Sequence, residues 1–258
     1  MVDRVLLDVD GVLIKNPYRK SVFPEVARKL VEEDKVQEFV EMMMEESVRR
    51  TREGKLVSAY NWDDIVRAVC VKMGIKGRAS VTQVVEACSS IEIEPYPDAI
   101  PTLQELKRMK IEIYALTNGF SRLVTPVLKR AGIFEFLDEI ITPDRVGAAK
   151  PSPEIFMVAA EGSTDPIFVG DNVSVDICGA NAANITSALL WRDLRMELAD
   201  PRERAIKAAS LGLIQEKLRG EKTSFLAPPC GCFPEFLILN LKELLKILRK
   251  NREVMGTF

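Results

Sequence analysis

Four short apolar runs recur along the chain, and each closes on small or polar residues. "VLLDVDG" closes on Asp8 and Asp10, "IEIYALTNG" on Thr117 and Asn118, "PIFVGDN" on Gly170 and Asp171, and "ITSALLW" near Trp191. Short runs bounded in this way read as buried strands. Helical patterns lie between them. "PDAIPTLQELKRM" places Ile100, Leu103, Leu106 and Met109 at helical spacing, and "SRLVTPVLKRAGI" repeats that pattern. "SPEIFMVAAE" has Ser152 at the N-cap position, Pro153 at the first helical position and Glu154 in the first turn. "SVDICGANAANI" reads as a helix rich in small residues. Strands alternating with helices predict an α/β fold: a Rossmann-like parallel sheet with helices on both faces.

Residues 16–94 break this alternation. "VFPEVARKLVEEDKVQEFVEMMMEESVRRTREGK", "NWDDIVRAVCVKMGI" and "SVTQVVEACSSI" read as helix after helix. A helical unit at 16–94 inserted into an α/β core at 1–15 and 95–258 is the expected division. Met42, Met43 and Met44 read as packing residues rather than a ligand surface. The tail "FLILNLKELLKILRKN" reads as a short strand and an amphipathic helix. The segment 192–229 is helical over "PRERAIKAASLGLIQEKLRG" and loop-like over "TSFLAPPCGC", with no catalytic signature.

Composition narrows the chemistry. The chain has 258 residues, enough for one large domain or a domain carrying a smaller insertion. Its formal net charge of −2 gives no general reason to bind nucleic acid or an anionic membrane. The basic cluster Arg49, Arg50 and Arg52 reads first as a solvated helix end. No apolar run approaches a membrane span and the N-terminus does not resemble a signal peptide, so a cytoplasmic protein is expected. The five scattered cysteines do not suggest a disulfide framework. Cys230-Gly-Cys232 lacks a second ligand pair, which argues against structural zinc. The absence of histidine excludes Ser-His-Asp and Cys-His catalysis within one chain. Any general acid or base must then be Asp, Glu, Lys, Tyr or Cys. No cysteine has an arginine six positions on, and no G-x-x-x-x-G-K-[ST] loop occurs.

Asp8, Asp10, Thr117 and Asp171 all fall at strand ends, where ligands bind in parallel α/β sheets. A lone buried carboxylate is costly, and two close together repel. Asp8 and Asp10 are therefore either solvated at a turn or balanced by a cation or a bound phosphate.

Four motifs in order make the chain resemble the haloacid dehalogenase superfamily of hydrolases. They are Asp8-Val9-Asp10-Gly11, Thr117 in "ALTNG", Lys150 in "GAAKPSPEIF", and Gly170-Asp171 followed by Asp176. The resemblance covers about residues 1–191 and the tail from about 234. The helices of 16–94 resemble the family's cap inserted between the first and second motifs. The segment 192–229 departs from the family pattern.

The resemblance implies an Mg²⁺-dependent phosphatase acting on a small phosphorylated metabolite. Asp8 would be the nucleophile that forms an aspartyl-phosphate, and Asp10 the general acid and base. Thr117, Asn118 and Lys150 would receive the phosphate. The Asp8 carboxylate, the Asp10 backbone carbonyl and the Asp171 carboxylate would hold Mg²⁺, with Asp176 and Asn172 in support. Read without the family, Asp171 and Asp176 could equally cap the following helix. A phosphomutase of the same family and a non-catalytic scaffold keeping the fold are the alternatives. A dehalogenase fits less well, because those members generally lack the second aspartate. No nucleic-acid or membrane partner is expected, and a homodimer is possible.

Overall fold

The computed structural model describes residues 2–87, 91–228 and 232–255. Six strands form one parallel sheet: β1 (Arg4–Leu7), β2 (Glu112–Leu116), β3 (Glu139–Ile141), β4 (Pro166–Gly170), β5 (Thr186–Leu190) and β6 (Phe236–Ile238). Their order is β3-β2-β1-β4-β5-β6. β1 is fully buried and pairs with both β2 and β4, so Leu7 lies in register with Ala115 on one side and Val169 on the other. Strand order reverses direction between β1 and β4, which opens a crevice beyond their carboxyl ends. β3 lies outside the four apolar runs. With three residues, Glu139 among them, it is too short to show a periodic signal.

Both faces of the sheet are covered, which explains strands that are apolar on successive residues rather than on alternate ones. Val5, Leu7, Ile113, Ile167 and Val169 pack on the face of α5 (Ala99–Arg108), α6 (Ser121–Arg130) and α12 (Glu243–Met255). Leu6 and Phe168 pack on the other face with Ile155 and Phe156 of α8 (Pro153–Ala160), which follows the single turn α7 (Pro143–Val146). Pro153 opens α8 as expected, but the Ser152 hydroxyl bonds Glu154 instead of capping the helix.

Between β1 and α5 the chain forms α1 (Phe23–Arg28), α2 (Val36–Arg52), α3 (Trp62–Lys72) and α4 (Val81–Ala87). Met43 is fully buried among them. Arg50 is not solvated. It is buried against Glu46 and Asp64, because its position on α2 faces α3. On the core side, Arg122 of α6 holds this layer by bonding Asn61 Oδ1 at 2.7 Å and pairing with Asp63 at 3.3 Å.

Residues 192–228 are not a loose excursion. They form α10 (Pro201–Ser210) and α11 (Leu213–Gly220), separated by Gly212 in the left-handed conformation. Arg204 anchors α10 by bonding the carbonyls of Leu198 and Leu237 and the carboxylate of Glu243. Contrary to the reading of scattered cysteines, Cys178 and Cys232 form a disulfide across 54 residues, with Cα atoms 5.1 Å apart. Tertiary packing sets this pair. Cys178 opens α9 (Cys178–Ala182), and Cys232 precedes β6, two strands away from β4 in the sheet. Cys70 is a buried free thiol, and Cys88 and Cys230 lie outside the described residues. Among the described residues, no helix is long and apolar enough to cross a membrane.

Candidate active site

Three strands deliver a functional side chain at the first residue past their ends: Asp8 after β1, Thr117 after β2 and Asp171 after β4. The sheet ladder still holds these backbones. Asp8 N–H donates to Val169 O at 2.9 Å, and Thr117 N–H to Ile141 O at 3.2 Å. The side chains therefore stand on the rigid end of the sheet, at the crevice its strand order creates.

Lys150, 2% exposed, joins the carboxylates. Its Nζ lies 2.8 Å from Asp8 Oδ1 and 2.7 Å from Asp176 Oδ1. Burial alone would discharge this amine, but the charges of Asp176 and Asp8 outweigh it and hold it protonated. Asn118 fixes the Lys150 backbone from both sides, accepting its N–H at 2.8 Å and donating to its carbonyl at 3.0 Å. Thr117 Oγ1 accepts Gly119 N–H at 3.1 Å, which leaves its own proton available as a donor.

Two glycines allow the acids to converge. Gly11 has φ +84°, and a Cβ there would lie 2.1 Å from Asp171 Oδ2. A Cβ on Gly170 would lie 2.4 Å from Asp176 Oδ2. The Asp176 carboxylate tucks back under the loop after β4 and accepts the N–H groups of Asp171 and Asn172, each at 3.1 Å. Asn172, not Asp171, caps the next turn, through Val175 N–H at 2.8 Å.

Asp8, Asp171 and Asp176 can each bring a carboxylate oxygen within 4.8 Å of the others. Three carboxylates against the single ammonium of Lys150 leave negative charge uncompensated. Burial raises Asp171 above the ordinary carboxylate range, and Asp176 and Asp8 add to this while Lys217 opposes it. Burial also raises Asp8, with Lys150 opposing. A hard divalent cation fits such an all-oxygen, over-charged set and would relieve it. Asp10 stands apart from the cluster. Its Oδ1 is buried without a hydrogen-bond partner, and burial followed by the charge of Asp8 pushes it up to about 7.

A cavity of about 640 Å³ opens over these groups, between the sheet end and the inserted helices. Tyr18, Phe23, Met44, Tyr60 and Trp62 supply its wall on the helical side. Neither Arg49 nor Arg50 lines it. Both are spent on Glu46.

Sequence reasoning missed two supports. Arg192, the second residue after β5, donates to Val12 O at 2.9 Å and to Asp98 Oδ2 at 2.8 Å, and lies 3.8 Å from the Tyr96 ring centroid. It thereby ties the loop carrying Asp10 to the carboxyl end of β5. A charged residue just past a strand end was the available signal. The other support is Glu221, whose carboxylate accepts Val173 N–H at 2.6 Å and Ser174 N–H at 2.8 Å. Nothing local in its sequence marks that role.

A parallel sheet with acids at its switch point and helices roofing them defines the aspartate-based site of an α/β enzyme. Residues 2–184 match the haloacid dehalogenase-like hydrolases, and the chain belongs to that family of enzymes. It is 28% identical over 206 residues to a glyceraldehyde 3-phosphate phosphatase of Methanopyrus kandleri, covering 74% of this chain and 85% of that one. It is 26% identical over 223 residues to a ribulose-1,5-bisphosphate 5-phosphatase of Halopiger xanaduensis, covering 81% and 92%. Solved structures with the same fold include an L-2-haloacid dehalogenase from Xanthobacter autotrophicus, with TM-score 0.65, 20% identity and coverage of 96% and 99%. A phosphatase of the same family from Thermococcus onnurineus gives TM-score 0.64, 22% identity and coverage of 96% and 98%.

Proposed function

We propose that this enzyme is an Mg²⁺-dependent phosphatase that hydrolyses a small phosphate monoester through an aspartyl-phosphate on Asp8. The observation that carries this reading is Lys150, buried between Asp8 and Asp176, with Asp171 beside them and Asp10, its Oδ1 without a hydrogen-bond partner, in the same cavity. Phosphoryl transfer needs positioning and charge stabilisation more than covalent chemistry. The phosphatase names of the relatives support the same choice.

In this reading Asp8 attacks phosphorus, and the bond from phosphorus to the ester oxygen breaks. Lys150 and the Thr117 hydroxyl receive phosphoryl oxygens, while Asn118 acts by holding Lys150 in place. Asp10 gives its proton to the leaving oxygen. It then takes a proton from the water that attacks the phosphorus of the Asp8 adduct, releasing inorganic phosphate and freeing Asp8. A carboxyl raised to about 7 suits both roles near neutral pH. A divalent ion such as Mg²⁺, held by the carboxylates of Asp8 and Asp171 and the Asp10 carbonyl, would supply charge neutralisation at the phosphoryl group. Asp176 and Asn172 shape the loop that presents Asp171.

Phosphate release from phenyl phosphate and a panel of metabolite esters, with Mg²⁺ and with EDTA, tests the proposal. Turnover should require Mg²⁺ and be lost in Asp8→Asn. Halide release from a 2-haloacid without phosphate release from any ester would overturn it.

A further inference from the structure

The segment that follows β5 lies beyond residue 184, where the match to the family ends, and it reaches the catalytic cavity. Lys222 and Thr223 line the cavity together with Asp8 and Asp171. Both neighbours of Lys222 are fixed. The Glu221 carboxylate holds two backbone N–H groups of the turn after Asp171. The Thr223 hydroxyl lies 2.7 Å from the hydroxyl of Ser174, which is fully buried. Arg204, with its bond to Glu243, and the disulfide at Cys232 anchor the rest of the segment. Lys222 is therefore held at the cavity wall by construction.

The helical side of the same cavity contributes Arg19 and Lys20. Among the described residues, Lys150 is the one cavity cation with a carboxylate partner. Arg19, Lys20 and Lys222 have none. The acids lining the cavity are the four aspartates of the reactive centre. The chain as a whole is slightly acidic, so a mouth with three unpaired cations does not follow from general composition. The phosphoryl group of an ester would be received at the floor by Lys150 and Thr117. The three further cations face what lies beyond it.

Resting on the proposed phosphatase reading, we infer that the preferred substrates are phosphate esters carrying a second anionic group, received by Lys222 together with Arg19 and Lys20. The shared chemistry is a small molecule that carries, besides its phosphate ester, a carboxylate or a second phosphate. Uncharged sugar or alkyl tails would leave these cations with water alone.

The test compares phosphoglycolate and its longer homologues, ethylene glycol bisphosphate, and ethyl phosphate, all with Mg²⁺. A charge-assisted contact of ordinary strength predicts that kcat/KM favours one of the two series bearing a second anionic group over ethyl phosphate by about tenfold or more. The carboxylate and bisphosphate arms identify which second group is recognised. Lys222→Ala should collapse that preference ratio, and Lys222→Glu should invert it. Equal kcat/KM for ethyl phosphate and both charged series would overturn the inference, as would a Lys222→Ala loss shared equally by all esters. If no ester is hydrolysed, the phosphatase reading fails on its own. Calorimetric binding of phosphoglycolate against ethyl phosphate then decides the subsite: tighter binding of phosphoglycolate that Lys222→Ala removes supports it, and equal binding overturns it.

Discussion

Gly11 shows how much of the site depends on one missing methyl group. Its φ of +84° already disfavours any side chain, and a Cβ would press within 2.1 Å of Asp171 Oδ2. Gly11→Ala should therefore do two things. Backbone strain should lower stability by about 1–3 kcal/mol in chemical denaturation. Displacement of Asp171 should also raise the Mg²⁺ concentration needed for half-maximal activity. A variant that loses stability but keeps wild-type Mg²⁺ dependence would refute the second claim. Asp8, Asp10, Thr117 and Asp171 were legible in the sequence because each sits at or just past the end of an apolar run. Arg192 was not, because its worth lies in carbonyls and a carboxylate that are distant in sequence. Arg192→Met should lower kcat more than it raises KM, since the loop bearing Asp10 loses its tether, and Arg192→Lys should recover part of the loss. Equal steady-state constants for the wild type and Arg192→Met would remove the positioning role.

At the scale of elements, most strands and most helices follow from periodicity. The segment between β5 and β6 shows where periodicity stops being informative. Its helices were readable, but their attachment was not, because Arg204, Glu221 and Cys232 find their partners across the fold. The disulfide closes a loop of 54 residues, for which loop entropy suggests a contribution of about 4 kcal/mol. Reductant should lower the melting temperature of the wild-type protein but not of Cys232→Ser. Identical shifts in the two proteins would show that the bond contributes nothing to stability.

For the whole molecule, acid stability should be governed by carboxylates held by several hydrogen bonds at once. Glu46 is buried and bonded by Arg49, Lys72 and Arg50, and these bonds, that of Arg49 foremost, hold its carboxyl well below the ordinary range. Burial alone would raise Asp3, but the Ser163 and Thr164 bonds outweigh it and hold it low as well. Both groups stay ionised in the folded state where the unfolded chain would bind protons. Their contribution is complete above the ordinary carboxylate range, near pH 5 and higher, and is lost as pH falls through the acid range. Removing one partner of a buried ion pair is costly, so Glu46→Gln should lose about 3 kcal/mol at neutral pH. Its stability should also fall less between pH 5 and pH 3 than that of the wild type, as followed by urea unfolding. Parallel pH curves would count against Glu46.

The amino-acid sequence by itself determined the alternation of strands and helices, the helical insertion, and the placement of acids beyond strand ends. These are local properties: apolar period, run length and the residue that ends a run. Tertiary structure alone decided that Lys150 lies between Asp8 and Asp176 and that Asp171 gathers beside them. It also decided that Cys178 meets Cys232 and that Lys222 reaches the cavity. Each of these depends on the relative placement of elements tens of residues apart. That placement is set by strand order and by packing on both faces of the sheet, which no local pattern encodes.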